Sequence, residues 1–388
     1  MRRRLVLFGA GSIGRSFIAQ LFASAGYEVV FVDVNERVVS ALNERGAYEV
    51  VIKHPDGTED VLAVEGVRAV HAADREAVCA ELVAADIAAT AVGVGALPAV
   101  ATLIRDGVTA RTRDRPGVPL DVILAENSRD AASIVSGVTG TAGILGLVQT
   151  SIGKMVPIVP EETAARDPLL VLAEPYHTLI VDAHGFRGPI PDVPEIMPVE
   201  NVRAWVDRKL FMHNLGHAAV AYFGYRRSPE TVMIAEAVGL PDVRSEAAAA
   251  MSEAAAALET EYRDSFSRQD LVEHRDDLLR RFANEALGDT VFRVGRDLPR
   301  KLSRDDRVVG AMLLAAKHDL PFASIARVYR AALGFGATGE DGTGFAGDRE
   351  VVERTRLAGV ETVLHEVSGL DDGRERDRSV IATVLDAE

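Results

Sequence analysis

The stretch "LVLFGAGSIGR", residues 5–15, decides the fold. A short apolar run of strand-forming residues ends in Gly9, Gly11 and Gly14 and passes directly into a helical pattern. Glycines at this spacing allow a tight turn, close approach of backbone to a pyrophosphate, and close packing of helix on strand, while the helix N-terminus favours a phosphate's negative charge. The spacing alone is a weak signal, and its context strengthens it. "EVVFVDVN", residues 28–35, reads as the next strand and closes on Asp33, placed to accept hydrogen bonds from the adenosine ribose hydroxyls and to repel a 2′-phosphate. Gly9, Gly11, Ser12, Ile13, Gly14 and Asp33 are therefore the expected cofactor contacts, with NAD expected over NADP. Arg37 is the first cation after Asp33 that a 2′-phosphate could use.

Outward from this loop, "IAATAVG" (87–93) and "DVILAEN" (121–127) read as further strands ending in glycine or polar residues. Strands alternating with helical patterns predict βαβ units and a parallel sheet, in which ligands bind at the carboxyl ends of the strands. In "TAVGVGALP", residues 90–98, Val92 and Gly93 either bring backbone to the dinucleotide or form a structural turn, and the two readings stand level. Glycine and proline accumulate in "DAHGFRGPIPDVPEIMPVEN", residues 182–201, and the strand rhythm stops there. Beyond it, segments such as "SEAAAAMSEAAAALETEYRD" (245–264) and "DLVEHRDDLLRRFANEALG" (270–288) read as helix after helix. The expected fold is α/β: an NAD-binding Rossmann-type parallel sheet domain over 1–190, then a mostly α-helical substrate and catalytic domain over 191–388. "GFGATGEDGTGFAGDRE", residues 334–350, is expected to be a flexible surface loop.

The 388 residues carry a formal charge of −15, which argues against nucleic-acid or anionic-membrane surfaces, since these are bound through clustered Lys and Arg. Cys79 is the sole cysteine, which excludes an intrachain disulfide and a cysteine-built zinc site and suits a reducing, cytoplasmic setting. The apolar run behind the first arginines is short and broken by glycines, unlike a signal peptide or membrane span.

"RKLFMHNLGHAAVAYFG", residues 208–224, is apolar nearly all round yet carries Lys209, His213, Asn214 and His217. At about 100° per residue Lys209, His213 and His217 share one arc, with Asn214 at its edge. A helix apolar on all sides is buried, so its polar groups must face a partner or a cavity. A lysine withdrawn from water loses affinity for its proton and becomes a base near neutrality. Three readings stand: a catalytic set, a snorkelling lysine with histidines bonded to carbonyls, or a zinc pair at His213 and His217. The last lacks a third ligand and the usual glutamate, so no metal is expected.

The pattern KxxxxNxxH, here Lys209, Asn214 and His217, resembles the signature of the polyol-specific long-chain dehydrogenases, a metal-independent NAD family. "FGAGSIGRSFI", "FVDVN", "TAVG", "AENSRD", "RVGRDLPRKLSRDDR" and "SGLD" follow in the order that family uses, over nearly the whole chain, and the compact length resembles its sugar-phosphate branch. The resemblance implies Lys209 as general base, Asn214 and Asn127 as amides that polarise the reacting oxygen, and His217 as the group that orients a substrate hydroxyl. It implies interconversion of a hexitol phosphate such as mannitol 1-phosphate and a ketose phosphate such as fructose 6-phosphate. Asn127 also reads as a turn or helix cap. Arg293, Arg296, Arg300 and Lys301 form a dense basic group that either holds the substrate phosphate or pairs with nearby acids.

One departure stands out. Where the family reads "VDRIVP", this chain has "IGKMVPIVP" (152–160), with Gly153 at the aspartate and Lys154 at the arginine. Glu126, Glu161 and Glu174 are the acids available to substitute. Two further functions remain in view: a dehydrogenase of an unphosphorylated polyol or a hexuronate, and an NAD-binding sensor that has lost catalysis. The expected partner is a small polyol phosphate or sugar phosphate, with no nucleic acid and no membrane, bound by a monomer or homodimer.

Overall fold

A computed structural model describes residues 2–140, 143–157, 159 and 161–387. The chain divides into two compact units, Met1–Val206 and Asp207–Glu388.

The first unit is built on strands β1 (Arg4–Phe8), β2 (Glu28–Asp33), β3 (Ala47–Lys53), β4 (Glu59–Glu65), β5 (Val67–His71) and β6 (Ile87–Thr90). They are followed by β7 (Leu120–Leu124), β8 (Leu145–Ser151), β9 (Val171–Ala173), β10 (Leu179–Asp182) and β11 (Ile196–Val199). The main sheet has eight strands in the order β11-β10-β8-β7-β6-β1-β2-β5, and the six from β8 to β5 run parallel. This is the doubly wound order, with its switch point between β1 and β6. Helices cover both faces, so both sides of each central strand are apolar. Leu5, Leu7, Val29 and Phe31 pack into one core, and Val6, Phe8, Val30 and Val32 into the other.

Two features depart from the strand rhythm of the sequence. A second, three-stranded sheet, β4-β3-β9, forms from the β3–β4 hairpin, which lies in the chain between β2 and β5, and the later strand β9. The first unit also runs past the expected 190/191 boundary, because β11 pairs in parallel with β10, which is antiparallel to β8. The segment "IMPV" sits within a run of prolines that reads as linker, and only its pairing partner makes it a strand.

Arg111 ties the lower end of this sheet together. Its side chain is 1% exposed and donates to the carbonyls of Leu82, Val83, Ala85, Val118 and Pro119, joining two helix ends to the start of β7.

The second unit is helical. Its centre is a run from Lys209 through Arg227 whose residues Ala218–Gly224 are all buried. Helix Pro241–Glu261 lies close against it, leaving no room for a side chain at Gly216, where a Cβ would meet the Met251 Sδ at 2.5 Å. Helices Arg268–Phe282, Val309–Lys317 and Ala323–Ala332 complete the core. The last helix, Glu375–Asp386, is anchored by Asp377, which is fully buried and accepts from Arg304 at 2.6 and 2.8 Å. The glycine-rich stretch is irregular only to Phe345, and helix begins at Ala346. No described helix is long and apolar enough to cross a membrane.

Arg111→Met retains the apolar stem but strands several buried carbonyls, each costing about 1–3 kcal/mol when unsatisfied. We expect urea denaturation to show a loss of about 3 kcal/mol or more. A loss below about 1 kcal/mol would mean that water replaces the guanidinium.

Candidate active site

In the first unit, the turn after β1 is shaped by its three glycines in three different ways. Gly9 has φ +95°, and a Cβ there would lie 2.4 Å from the Ala91 carbonyl oxygen. A Cβ at Gly14 would lie 2.1 Å from the Gly9 carbonyl oxygen. Gly11 faces open space within 4 Å, so its lack of a side chain answers no protein neighbour and leaves room for a ligand. The following helix is not a plain α-helix: Gly14–Ala19 forms a π-helical segment and α-helix resumes over Gln20–Ser24. Ser12 is exposed and Ile13 half-buried at its start.

Asp33 holds this turn. One carboxylate oxygen accepts from the Ala10 N–H at 2.6 Å and the other from Asn35 N–H at 2.8 Å, which ties the glycine turn to the end of β2. Each oxygen has a second lone pair, so ribose hydroxyls can still be accepted. Arg37 donates to the Ala165 carbonyl. A cleft of about 580 Å³ opens beside the turn, lined by Gly9, Gly11, Asp33, His71, Val92 and Val100 among others. A glycine with no steric need for being glycine, an acid at the second strand end and an adjoining cleft fit a bound dinucleotide.

The turn after β6 is held from beneath by Glu126. Its buried carboxylate accepts from Val92 N–H at 3.0 Å and Gly93 N–H at 2.8 Å. Both readings of this turn therefore meet: Val92 lines the cleft, while its amide and that of Gly93 are taken up internally. Asn127, next in the chain, is exposed.

In the second unit, Lys209–Asn214 forms a π-helical turn, with the Leu215 N–H donating to the Leu210 carbonyl five residues back. This changes the phase expected from 100° per residue. Lys209 and Asn214, five apart, are brought over one another by the wider turn. Lys209, Asn214 and His217 are the half-buried polar positions, whereas His213 is 5% exposed and packs against Phe282 at 5.7 Å. His213 and His217 both pack on Phe282, their rings 6.2 Å apart. Burial lowers the Lys209 pKa to about 7; Arg307 and Arg300 add to this and Asp306 opposes it. His217 stacks flat on Phe282, centroids 4.6 Å apart at 5°, and burial together with Arg293 and other cations pushes it down to about 3.

The basic group does not act as one cluster. Arg293 pairs with Asp289, and Arg300 with Asp297 at 2.6 Å and Asp306 at 3.3 Å. Lys301 is turned inward, 4% exposed, donating to the carbonyls of Val294 and Arg296. Its ammonium is thus engaged by backbone carbonyls of its own segment. Arg296 is exposed, lies over the Phe292 ring at 5.4 Å, and makes no ion pair among the described residues.

Residues 3–195 match the mannitol dehydrogenase Rossmann domain and residues 201–375 the mannitol dehydrogenase C-terminal domain. The chain belongs to the mannitol dehydrogenase family. It is 34% identical over 385 residues to a mannitol-1-phosphate 5-dehydrogenase of Brevibacillus brevis, covering 97% of this chain and 96% of that one. Its fold is similar to that of a D-sorbitol dehydrogenase in substrate-free form, with TM-score 0.74 and 17% identity over 98% of this chain and 92% of that one. Pseudomonas fluorescens mannitol 2-dehydrogenase, in ternary complex with NAD and D-mannitol, gives TM-score 0.72 and 14% identity over 99% of this chain and 90% of that one.

The position that departs from the family pattern lies outside the left-handed backbone region. Gly153 does not adopt a positive φ, and a Cβ there would face the Tyr176 hydroxyl at 3.2 Å. Lys154 is buried with its ammonium 5.3 Å over the Phe17 ring. Of the acids available to substitute, Glu126 is bonded to the Val92 turn and Glu174 is buried and bonded to Met155 N–H. The side chain of Glu161 lies outside the described residues. Among the described residues no group of three or more His, Cys, Asp or Glu could hold a metal ion. Asp289, 3.3 Å from His217, and Arg307, one of the charges acting on Lys209, receive no role from the sequence reading: both sit among other charges, and only tertiary contacts separate them.

Because Asp33 stands at the cleft and Arg37 is engaged elsewhere, NADH is expected to bind at least about tenfold more tightly than NADPH, the equivalent of one like-charge contact of about 1.4 kcal/mol. Fluorescence titration measures both. Equal affinities would refute this role for Asp33.

Proposed function

We propose that the protein interconverts mannitol 1-phosphate and fructose 6-phosphate with NAD, Lys209 serving as the base. The observation that carries the reading is a lysine whose pKa burial brings down to about 7, on a π-helical turn that also carries Asn214 and leads to His217. The substrate follows from the near full-length similarity to the Brevibacillus brevis relative. When bound, NAD accepts a hydride from the carbinol carbon. The chain's own groups do the rest. Neutral Lys209 takes the hydroxyl proton, and Asn214 with Asn127 donates amide N–H groups to the oxygen as it gains negative charge. His217, held neutral, orients a neighbouring hydroxyl. The single cysteine, Cys79, fits a cytoplasmic enzyme, and the chain is read as a monomer or homodimer.

The ion pairs at Arg293 and Arg300 and the inward turn of Lys301 favour a second reading, an unphosphorylated polyol or hexuronate. Arg296 separates the two. A charge-assisted hydrogen bond is worth about 1.5–3 kcal/mol, so Arg296→Ala should raise KM for the sugar phosphate roughly tenfold or more and leave NADH affinity unchanged. Turnover of the unphosphorylated polyol at a rate matching the phosphate would favour the second reading.

The pH dependence has a definite sign. A lysine with pKa about 7 is an ammonium below that pH and cannot accept a proton, so polyol oxidation should rise through about pH 7 and level off above it. Ketose reduction needs the ammonium as acid and should fall over the same range. Lys209→Met keeps length and apolar packing, so folding and NADH binding should survive while turnover falls by about 10²–10⁴ or more. A variant that retains a tenth of wild-type turnover with the wild-type pH profile would falsify the assignment.

A further inference from the structure

We propose that Asp289 is a positioning residue that fixes the protonation of His217, with Arg293 locking the carboxylate in place. The inference rests on the reading of His217 as the group that orients a substrate hydroxyl.

The His217 Nε2 atom is buried and has no aligned hydrogen bond among the described residues, and the Asp289 Oδ2 atom lies 3.3 Å away. A neutral imidazole carries one N–H, and a carboxylate facing Nε2 selects the tautomer in which that proton sits on Nε2. Nδ1 is then left with a lone pair and can only accept. A substrate hydroxyl meeting Nδ1 must therefore donate to it, which fixes the hydroxyl's direction.

Three features give Asp289 little freedom. Its side chain is 7% exposed. Its other oxygen lies in ion-pair contact with Arg293, four residues on, without an aligned hydrogen bond. Its backbone belongs to a short bridge: the Asp289 carbonyl accepts from Ile234 N–H at 2.9 Å, Thr290 pairs with Met233, and Val291 N–H donates to the Val232 carbonyl at 2.7 Å. The imidazole is equally confined by its flat stack on Phe282. Arg293, which the sequence offers as a phosphate contact, thus has a different task.

Asp289→Asn tests this without changing shape. Arg293 only donates, so it will draw the amide oxygen, and the amide N–H₂ then faces His217 Nε2. That forces Nε2 to accept and moves the imidazole proton to Nδ1, turning Nδ1 from acceptor to donor. In ¹⁵N-histidine NMR, with the His217 resonances identified by their loss in His217→Ala, the wild type should show the Nε2–H form and Asp289→Asn the Nδ1–H form. Turnover of mannitol 1-phosphate should fall about tenfold to a hundredfold in Asp289→Asn, the usual cost of losing a partner that orients a site imidazole. NADH affinity should not change. In a His217→Ala background, Asp289→Asn should then alter turnover less than twofold, because the group it acts on is gone.

The inference is overturned if Asp289→Asn keeps wild-type turnover, if its cost is the same in both backgrounds, or if the tautomer does not change. Should His217→Ala itself leave turnover untouched, the reading of His217 falls and this inference falls with it.

Discussion

Withdrawal of one ammonium from water is the constraint around which the second unit is arranged. Lys209 stands on a helix with almost no polar surface, and the cost of keeping a charge there lowers its affinity for protons into the neutral range. Everything nearby fits that cost. The buried stretch Ala218–Gly224 and the close approach of Met251 to Gly216 exclude solvent. Arg307 and Arg300 push in the same direction as burial, and Asp306 pushes back. The surroundings of Lys209 are thus an apolar environment trimmed by a few charges, and its proton affinity depends on how well the surrounding helices pack.

The first unit meets the opposite requirement, that backbone rather than side chain should face the ligand. Gly9 and Gly14 are dictated by contacts with the protein itself, and Gly11 by none. Carboxylates do the fastening. Asp33 secures the turn after β1 and Glu126 the turn after β6, each by accepting from two backbone N–H groups. Both turns flank the switch point, so the cleft edges are fixed by acids that rise from the strand ends.

The doubly wound sheet was legible because its signals are local: glycine spacing, an acid at a strand end and uninterrupted apolar strands. The end of the first unit was not, since β11 is a strand only by virtue of β10. The helical second half was legible from composition, but the phase of its central helix was not. A periodicity of 3.6 cannot reveal where a π turn intervenes, nor that His213 is buried against Phe282 while Lys209, Asn214 and His217 stay half-buried. The cations were hardest to place. Arg293, Arg296, Arg300 and Lys301 look alike in sequence, yet one pairs with Asp289, one lies over Phe292, one bridges Asp297 and Asp306, and one caps carbonyls. Which acid or carbonyl each finds depends on distant segments.

The π turn also makes the helix intolerant of a change in length. A helix that merely fills a core can gain or lose a residue in a flanking loop and slide. Between Lys209 and His217 no such slack exists, because removing one residue would collapse the wide turn to an α-turn and swing His217 about 100° around the axis relative to Lys209. His217 would then leave the flat face of Phe282. Substitution can drift through the apolar positions of this segment, but its residue count is fixed as firmly as the distance between two teeth of a gear.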